Sequence, residues 1–490
     1  MTVASSHHRR SCPSESTSRW WLAVAAGLTA LGAVYWDDAW HTDRGRDDFF
    51  VAPHMVLYGA VLVLGMVMTL WALASWRRGE SDGAPGLALL GVAAVIASAP
   101  LDDAWHRLFG RDAVIWSPPH LVGVAATFTV AVALARGVTS VAGRTVLAAA
   151  ANTLVLGAAM VLVMEFEADV PQFSAALYLP VVCATVVFVL PVMRSQDQRQ
   201  FAFTYATLGY TAIRVAIVVA LAIAGFSTPI VPPLLLVAVA ADLAGRYRGW
   251  SIVAVPIAVH AIYLPWLVIV PHGIDLTANE IIVSVLLSLV VAVVPTVWSR
   301  VRRLVVPVVE AAIAIALFAS VAGAHDPGQG VEDAAVTFEI DVVDALANIE
   351  TVVAGDDCAR LVPYRIVARR GGDERSATFT SRSACGAHGA IDLPRRGRWF
   401  VYVEYRRSER QLEAWVPIES PNSTAQVTRR LYVPPRREGT PWQGVAGGAL
   451  LLAAVGLVVH ARRIGVRAAH PRSDAVESAD AIEQSEEPRR

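Results

Sequence analysis

Long apolar stretches constrain the fold of this chain more than any other feature. A helix that crosses a membrane needs about 20 mostly apolar residues. Twelve segments meet this requirement: 20–40, 54–76, 85–105, 119–136, 145–165, 174–193, 205–225, 229–246, 251–271, 280–299, 304–323 and 443–461. Charged residues make up only 17% of the chain, and the mean hydropathy is +0.49. The sequence therefore predicts an all-α polytopic membrane protein with about twelve transmembrane helices.

Arginines mark one end of these predicted helices. Cytoplasmic loops of membrane proteins retain positive charge, and the segment 1–19 and alternate turns carry most of the arginines near the predicted spans. These are Arg9, Arg10, Arg19, Arg77, Arg78, Arg136, Arg144, Arg194, Arg199, Arg246, Arg248, Arg300, Arg302 and Arg303. The pattern predicts a multi-pass protein of the plasma (inner) membrane with a cytoplasmic N-terminus. The first apolar segment lacks a small-residue cleavage site, so we expect a retained helix and not a signal peptide.

The composition changes at residues 325–440, which contain short runs of alternating apolar and polar residues. This alternation, interrupted by Gly and Pro, is typical of an antiparallel β-sandwich. Eleven preceding helices would place the domain outside the membrane, where Cys358 and Cys385 can form a disulfide. The last helix, 443–461, would return the chain to the cytoplasm, and the charged tail 462–490 is predicted to be disordered. The β-sandwich is thus inserted, as an extracytoplasmic domain, before the last helix.

A short polar stretch occurs twice, each time between two apolar segments. Each copy contains Asp-Asp-Ala-Trp-His, then Gly-Arg-Asp, and then a second His that follows a Pro. Eight of the eleven positions are identical between residues 37–47 and residues 102–112. The predicted topology puts both copies on the outer face.

The spacing of acids and histidines predicts a metal site in each copy. The first Asp and the first His are four residues apart, so they would share one face of a helix. The second His follows a proline suited to the first turn of the next helix, so a carboxylate and two imidazoles would converge on a transition metal with open positions. Imidazole-rich ligation suits copper, zinc or iron, and spacing does not choose among them. The candidate ligands are Asp37, His41, His54, Asp102, His106 and His120.

Two alternatives to this ligand set stay open on the residues alone. Asp38 and Asp103, the second acids, could be ligands or could orient a histidine. Acids, an interfacial Trp and Pro-His are also ordinary at helix ends, and a duplication would copy them whether or not they bind metal.

The first copy combines Asp-x-x-x-His, Arg-Asp five residues later, an aromatic, a second His and a Tyr-Gly; the residues are Asp37, His41, Arg46, Asp47, Phe50, His54, Tyr58 and Gly59. This segment resembles the copper-site segment of the C subunit of particulate methane and ammonia monooxygenases. The resemblance covers about 25 residues per copy. It implies that the first acid and both histidines bind copper near the outer face. By the internal repeat it extends to the second copy, which has one more residue between its histidines and Val122-Gly123 in the region of Tyr-Gly.

Three charged residues, one histidine and one possible cleavage site lie outside the repeat. Arg214, Asp242 and Glu310 are predicted toward the cytoplasmic side of the membrane, with Arg214 paired to Asp242 or to Glu310. His260 is predicted to pack and to form hydrogen bonds. The small residues before His325 resemble a cleavage site that would expose a copper-chelating histidine, but an uncut linker is the favoured interpretation.

These features favour an integral membrane metal-binding protein, with copper as the expected cofactor, that resembles a membrane monooxygenase subunit. Other membrane subunits and the lipid bilayer are the expected partners, and no nucleic-acid partner is expected. The alternatives are a protein of copper or ion transport or handling, in which the carboxylates and histidines form an outer vestibule, and a non-catalytic assembly protein. Whether the chain catalyses a reaction stays open.

Overall fold

The computed structural model describes residues 17–44, 50–79, 83–109, 115–139, 145–168, 174–245, 250–270, 274–301, 330–370, 373–383, 385–433 and 441–467. Its helices are α1 (Thr17–Arg44), α2 (Ala52–Arg77), α3 (Ala84–Phe109), α4 (Pro118–Thr139), α5 (Thr145–Met160), α6 (Met164–Glu167), α7 (Tyr178–Gln196), α8 (Ala202–Ile223), α9 (Leu234–Ala244), α10 (Trp250–Ile269), α11 (Ala278–Val301) and α12 (Pro441–Arg467). The predicted segment 304–323 and the tail 468–490 lie outside the described residues, as does His325.

Seven of the described helices are long and apolar enough to cross a membrane. They are α2, α3, α4, α5 together with α6, α7, α8 and α12, while α9, α10 and α11 contain shorter apolar stretches. In their apolar parts, 72–78% of the residues of α4, α5 and α7 are buried, against only 17–28% of those of α2, α8 and α12. Exposed apolar helix faces are compatible with contact to a lipid bilayer, because a bilayer removes them from water. The chain is therefore a membrane protein with a buried inner set of helices.

Small residues allow α1 to approach α5 closely. A Cβ added at Gly27 would lie 2.7 Å from Leu154, and one added at Gly157 would lie 2.6 Å from Leu31. The two glycines thus receive leucines from the facing helix. This close packing holds α1, which carries the first copy of the repeat, against the buried part of the bundle.

The last helix, α12, packs between elements that precede it by hundreds of residues. Ser195, at the end of α7, donates a hydrogen bond of 2.6 Å to the carbonyl oxygen of Gly465. At the other end of α12, a Cβ at Gly447 would lie 3.2 Å from Trp105 and 3.3 Å from Pro118. The helix therefore runs from the end of the bundle that carries the second copy to the opposite end.

Residues 330–433 form a separate antiparallel β-domain, here called the sheet domain. Its strands are β1 (Gly330–Val343), β2 (Leu346–Val353), β3 (Val362–Arg370), β4 (Asp373–Ala377), β5 (Ser381–Arg382), β6 (Gly386–Asp392), β7 (Gly397–Arg407), β8 (Arg410–Ser420) and β9 (Ser423–Val433). They follow the order β4-β3-β7-β8-β9-β1-β2-β6-β5. A β-domain was predicted, but the described strands form one continuous sheet and not the two sheets of a sandwich. The sheet curls until β4 and β3 pack against β6, which encloses a core that includes Phe338, Ile349 and Trp399.

The predicted disulfide between Cys358 and Cys385 is present. It joins the turn after β2 to the residue before β6. Beside it, Tyr405 on β7 donates a hydrogen bond of 2.7 Å to the hydroxyl of Thr351 on β2. These links cross the enclosed core and hold distant parts of the sheet together.

The sheet domain sits on the end of the bundle where α1 ends. Arg398 donates to the carbonyl oxygen of Ala168 at 3.1 Å, and Arg395 donates to that of Asp275 at 3.2 Å. Arg395 also lies 3.9 Å from Glu280. Glu280 and Thr277 cap the start of α11 with reciprocal hydrogen bonds, as in a capping box. Arginines at the start of β7 and in the connection before it thus dock onto carbonyl and carboxylate oxygens of the bundle.

The predicted pair of Arg214 with Asp242 is wrong. Arg214 pairs with Glu167, and both side chains are fully buried. Asp242 instead lies 3.4 Å from Arg194 and accepts hydrogen bonds from the backbone and hydroxyl of Thr204. Glu310 lies outside the described residues. The prediction failed because Arg214 faces the end of the bundle that carries the first copy, away from Asp242.

His260 packs as predicted. Its ring nitrogens lie 2.9 Å from the carbonyl oxygen of Pro256 and 3.2 Å from the hydroxyl of Ser284. The first contact lies within α10, and the second joins α10 to α11.

Candidate metal centre

The first copy brings one carboxylate and two imidazoles together where α1 ends and α2 begins. Asp37 and His41 lie one turn apart on α1, and His54 lies in the first turn of α2. The two carboxylate oxygens of Asp37 face different rings, at 3.6 Å from Nε2 of His41 and 3.1 Å from Nε2 of His54. Asp37 therefore stands between the two histidines.

Local sequence explains this arrangement. The helical pitch of α1 puts residues four apart on one face, and Pro53 fits the start of α2, where its missing N–H leaves no helix bond unmade. The ring of His54 then lies 5.7 Å from that of Tyr58, one turn later. The three candidate ligands are each about a fifth exposed, at 23%, 21% and 20% for Asp37, His41 and His54.

The donor set fits a single transition-metal ion. Ligands of a tetrahedral ion lie roughly 3.4 Å apart when each bond is about 2.0–2.1 Å, and the two contacts of Asp37 bracket that spacing. The ligand atoms of all three residues lie within 4.8 Å of one another. This slightly exceeds about 4.2 Å, twice the bond length, so a small side-chain rotation would bring all three onto one ion. Within the described residues, this is the one group of three or more His, Cys, Asp or Glu side chains found close enough to share an ion.

The connection between α8 and α9 supports the end of α1 from one side. Ser227 donates to Asp43 from its backbone N–H at 2.5 Å and from its hydroxyl at 2.6 Å. The ring of Phe226 stacks on Trp40 with centroids 5.9 Å apart, and the guanidinium of Arg44 lies over both rings. These contacts hold the last turns of α1, which carry His41.

A buried polar group supports α1 from the other side. Arg214 donates to the hydroxyls of Tyr35 at 2.7 Å and Tyr210 at 2.9 Å, and to the carbonyl oxygen of Ile230 at 2.6 Å. It also pairs with Glu167. We call these five residues the Arg214 cluster. Since Tyr35 precedes Asp37 by two residues, the cluster anchors α1 immediately before the candidate ligands.

The second copy reproduces part of this arrangement at a second place. Oδ1 of Asp102 lies 3.1 Å from Nε2 of His120. His106 occupies the backbone position on α3 one turn beyond Asp102, but its side chain lies outside the described part of the structure. Ser117 precedes α4, and its carbonyl oxygen accepts a hydrogen bond of 3.0 Å from the backbone N–H of Leu121.

Several residues of the predicted motif do not belong to the group of three candidate ligands. In each copy it is the first acid, Asp37 or Asp102, that contacts a histidine across the helix boundary. The Arg-Asp pairs of both copies, residues 46–47 and 111–112, lie outside the described residues. Phe50 is 74% exposed.

Sequence reasoning missed the residues that position the site. Glu165 and Glu167 are not among the site residues predicted from the sequence, yet both are buried. Glu165 accepts a hydrogen bond from the backbone N–H of Ile115, just before α4. The available signal was an arginine within an apolar segment, because a charge in the membrane requires a partner.

No family model, curated protein or solved structure matches the chain.

Proposed function

We propose that this chain is an integral membrane protein that binds a copper ion through Asp37, His41 and His54. The observation that carries the proposal is the convergence of these three side chains across the boundary between α1 and α2. The choice of copper is supported by the resemblance of the segment to the monooxygenase C subunit and by the two imidazoles, which suit this metal.

The chain's own residues would hold the ion in an anchored site. Asp37 presents one oxygen to each histidine, so it fixes the relative position of both rings. The Arg214 cluster and the Ser227–Asp43 contacts hold α1 on either side of these ligands. Three protein ligands leave open positions, and copper bound there would supply a Lewis-acidic, redox-active centre for a small molecule.

We further propose that the N-terminus is cytoplasmic and that the site and the sheet domain face outward from the plasma membrane. Two observations support this orientation. The sheet domain docks on the bundle end that carries the site. Arg194, in the last turn of α7, and Arg199, just after it, lie at the other end of the bundle, where positive charge favours the cytoplasm.

The resemblance makes oxidation of a small molecule, by an assembly that includes this chain, the reaction class to test. The expected partners are therefore other membrane subunits. Metal binding is the part of the proposal that can be tested on the purified chain without other subunits.

The test is metal analysis of the full chain purified in lipid nanodiscs without a histidine tag. Copper content is expected to fall in the double variant His41→Ala/His54→Ala. His460→Ala is a matched control, because His460 is exposed on α12 near the helix end that contacts Ser195. This variant should bind as much copper as wild type does. The copper(II) electron paramagnetic resonance spectrum should show coupling to imidazole nitrogens that disappears in the double variant. Unchanged copper content and spectrum in that variant would refute the site.

A further inference from the structure

The second copy contains a carboxylate–imidazole contact that duplicates one in the first. Asp102 and His120 are joined at 3.1 Å through Oδ1 and Nε2, and Asp37 and His54 are joined at 3.1 Å through the same atoms. The side chains of Asp102 and His120 are 26% and 28% exposed, so the pair is shielded to nearly the same degree. The repeat has therefore kept a three-dimensional contact as well as a sequence pattern.

The backbone also places a third candidate ligand. α3 continues to Phe109, so residue 106 lies on the same helix as Asp102 and one turn further on. This is the position that His41 holds relative to Asp37 on α1. A helix that ended earlier would have separated the two residues.

The surroundings of the second copy are built from different elements. Trp105 packs against α12 at Gly447, as described above. Ile115 donates its backbone N–H to Glu165, and the indole N–H of Trp116 donates to the carbonyl oxygen of Leu162 at 3.1 Å. The second copy is thus held by α12 and by the end of α5, whereas the first is held by α8 and its following loop. The two supports meet at α6, which carries both Glu165 and Glu167.

We infer that the second copy binds a second transition-metal ion through Asp102 and His120, and the backbone places residue 106 one turn beyond Asp102 on the same helix. This inference rests on the metal chemistry proposed for the first copy, since the ligand types are the same and suit the same ions. Thirteen residues, 107–119, separate the histidines here, against twelve, 42–53, in the first copy. The connection must accommodate one more residue, so the two ions should bind with different affinities.

The test counts ions per chain. The full chain in nanodiscs, with His7→Ala and His8→Ala to remove adjacent N-terminal histidines that bind copper, is stripped with a chelator and dialysed against Cu²⁺. Wild type should bind two ions in separate steps. His54→Ala and His120→Ala should each bind one, and the double variant should bind none.

The failures of the two proposals give different results. One ion in wild type that is lost in His54→Ala and kept in His120→Ala overturns the second site alone, and shows that Asp102 and His120 form only a pairwise polar contact. No ion in wild type overturns both proposals. If His120→Ala does not fold, Asp102→Asn, which keeps the size of the side chain, must lose the same ion, while Asp103→Asn must keep it.

Discussion

Removing the carboxylate of Glu167 should destabilise the membrane-embedded bundle strongly. Glu167→Gln keeps the size of the side chain but leaves the guanidinium of Arg214 without a counter-charge. Both side chains are 0% exposed, and Arg214 keeps only neutral partners, the hydroxyls of Tyr35 and Tyr210 and the carbonyl oxygen of Ile230. A guanidinium cannot lose its proton in a protein, so the charge stays buried.

The size of the effect follows from that uncompensated charge. Breaking a buried ion pair by removing one partner costs about 3–5 kcal/mol, and the retained hydrogen bonds favour the lower value. At about 2–4 °C per kcal/mol for domains of 150–250 residues, the melting temperature should fall on the order of 6–12 °C. Arg214→Met should cost less, because a carboxyl group left alone in an apolar site can take up a proton. Replacing both residues by Met should restore much of the loss, since apolar replacement of a buried pair is often neutral or stabilising.

The assay is thermal unfolding of the purified chain in detergent, followed by tryptophan fluorescence. Glu419→Gln is the matched control: Glu419 is 53% exposed and 3.4 Å from Arg398, and surface pairs contribute only about 0–1 kcal/mol. A Glu167→Gln melting temperature within about a degree of wild type would refute the reasoning. So would a double Met variant whose loss equals the sum of the single losses.

Three further predictions concern the sheet domain and the orientation of the chain. Reducing Cys358–Cys385 with a membrane-impermeant phosphine should cost about 3–4 kcal/mol, because the disulfide closes a loop with a separation of 27 residues; an unchanged melting temperature would contradict this. Burial raises the pKa of Tyr405 to about 12, so the folded state favours the neutral phenol. The stability it contributes is complete below about pH 10 and is lost between about pH 10 and 12. Tyr405→Phe should reduce that alkaline loss in melting curves recorded against pH, and an identical pH profile would argue against it. Green fluorescent protein fused after Arg490 should fluoresce, and alkaline phosphatase inserted at 434–440 should be active, whereas the reverse pattern would overturn the proposed orientation.

The candidate ligands could be found from sequence because the relevant geometry is local. The distance between Asp37 and His41 is set by one helical turn, and Pro53 fixes where the next helix begins and hence where His54 lies. The disulfide was also predictable, since Cys358 and Cys385 are the cysteines that the predicted topology puts outside the membrane. In the first case the geometry depends on neighbouring residues. In the second, only two of the four cysteines are predicted to lie outside the membrane.

The partners of buried charges could not be found in this way. Arg214 and Glu167 are separated by 47 residues, and their meeting depends on how α8 packs against the end of α5. Asp242 was an equally acceptable partner on charge alone. For the same reason the alternating strands predicted the faces of the sheet, but not that the described strands pair into one continuous curled sheet.

The position of α12 imposes an order on biosynthesis. The chain is made from its N-terminus, so the surface of α4 and α7 that receives Gly465 stays uncovered until residues 441–467 have been synthesised. The whole sheet domain is made before them. The bundle therefore cannot close, and Trp105 beside the second copy cannot gain its contact with Gly447, until the sheet domain is complete. A truncated product that stops within the sheet domain would expose this uncovered surface, which is a feature that a quality-control protease in the membrane can recognise.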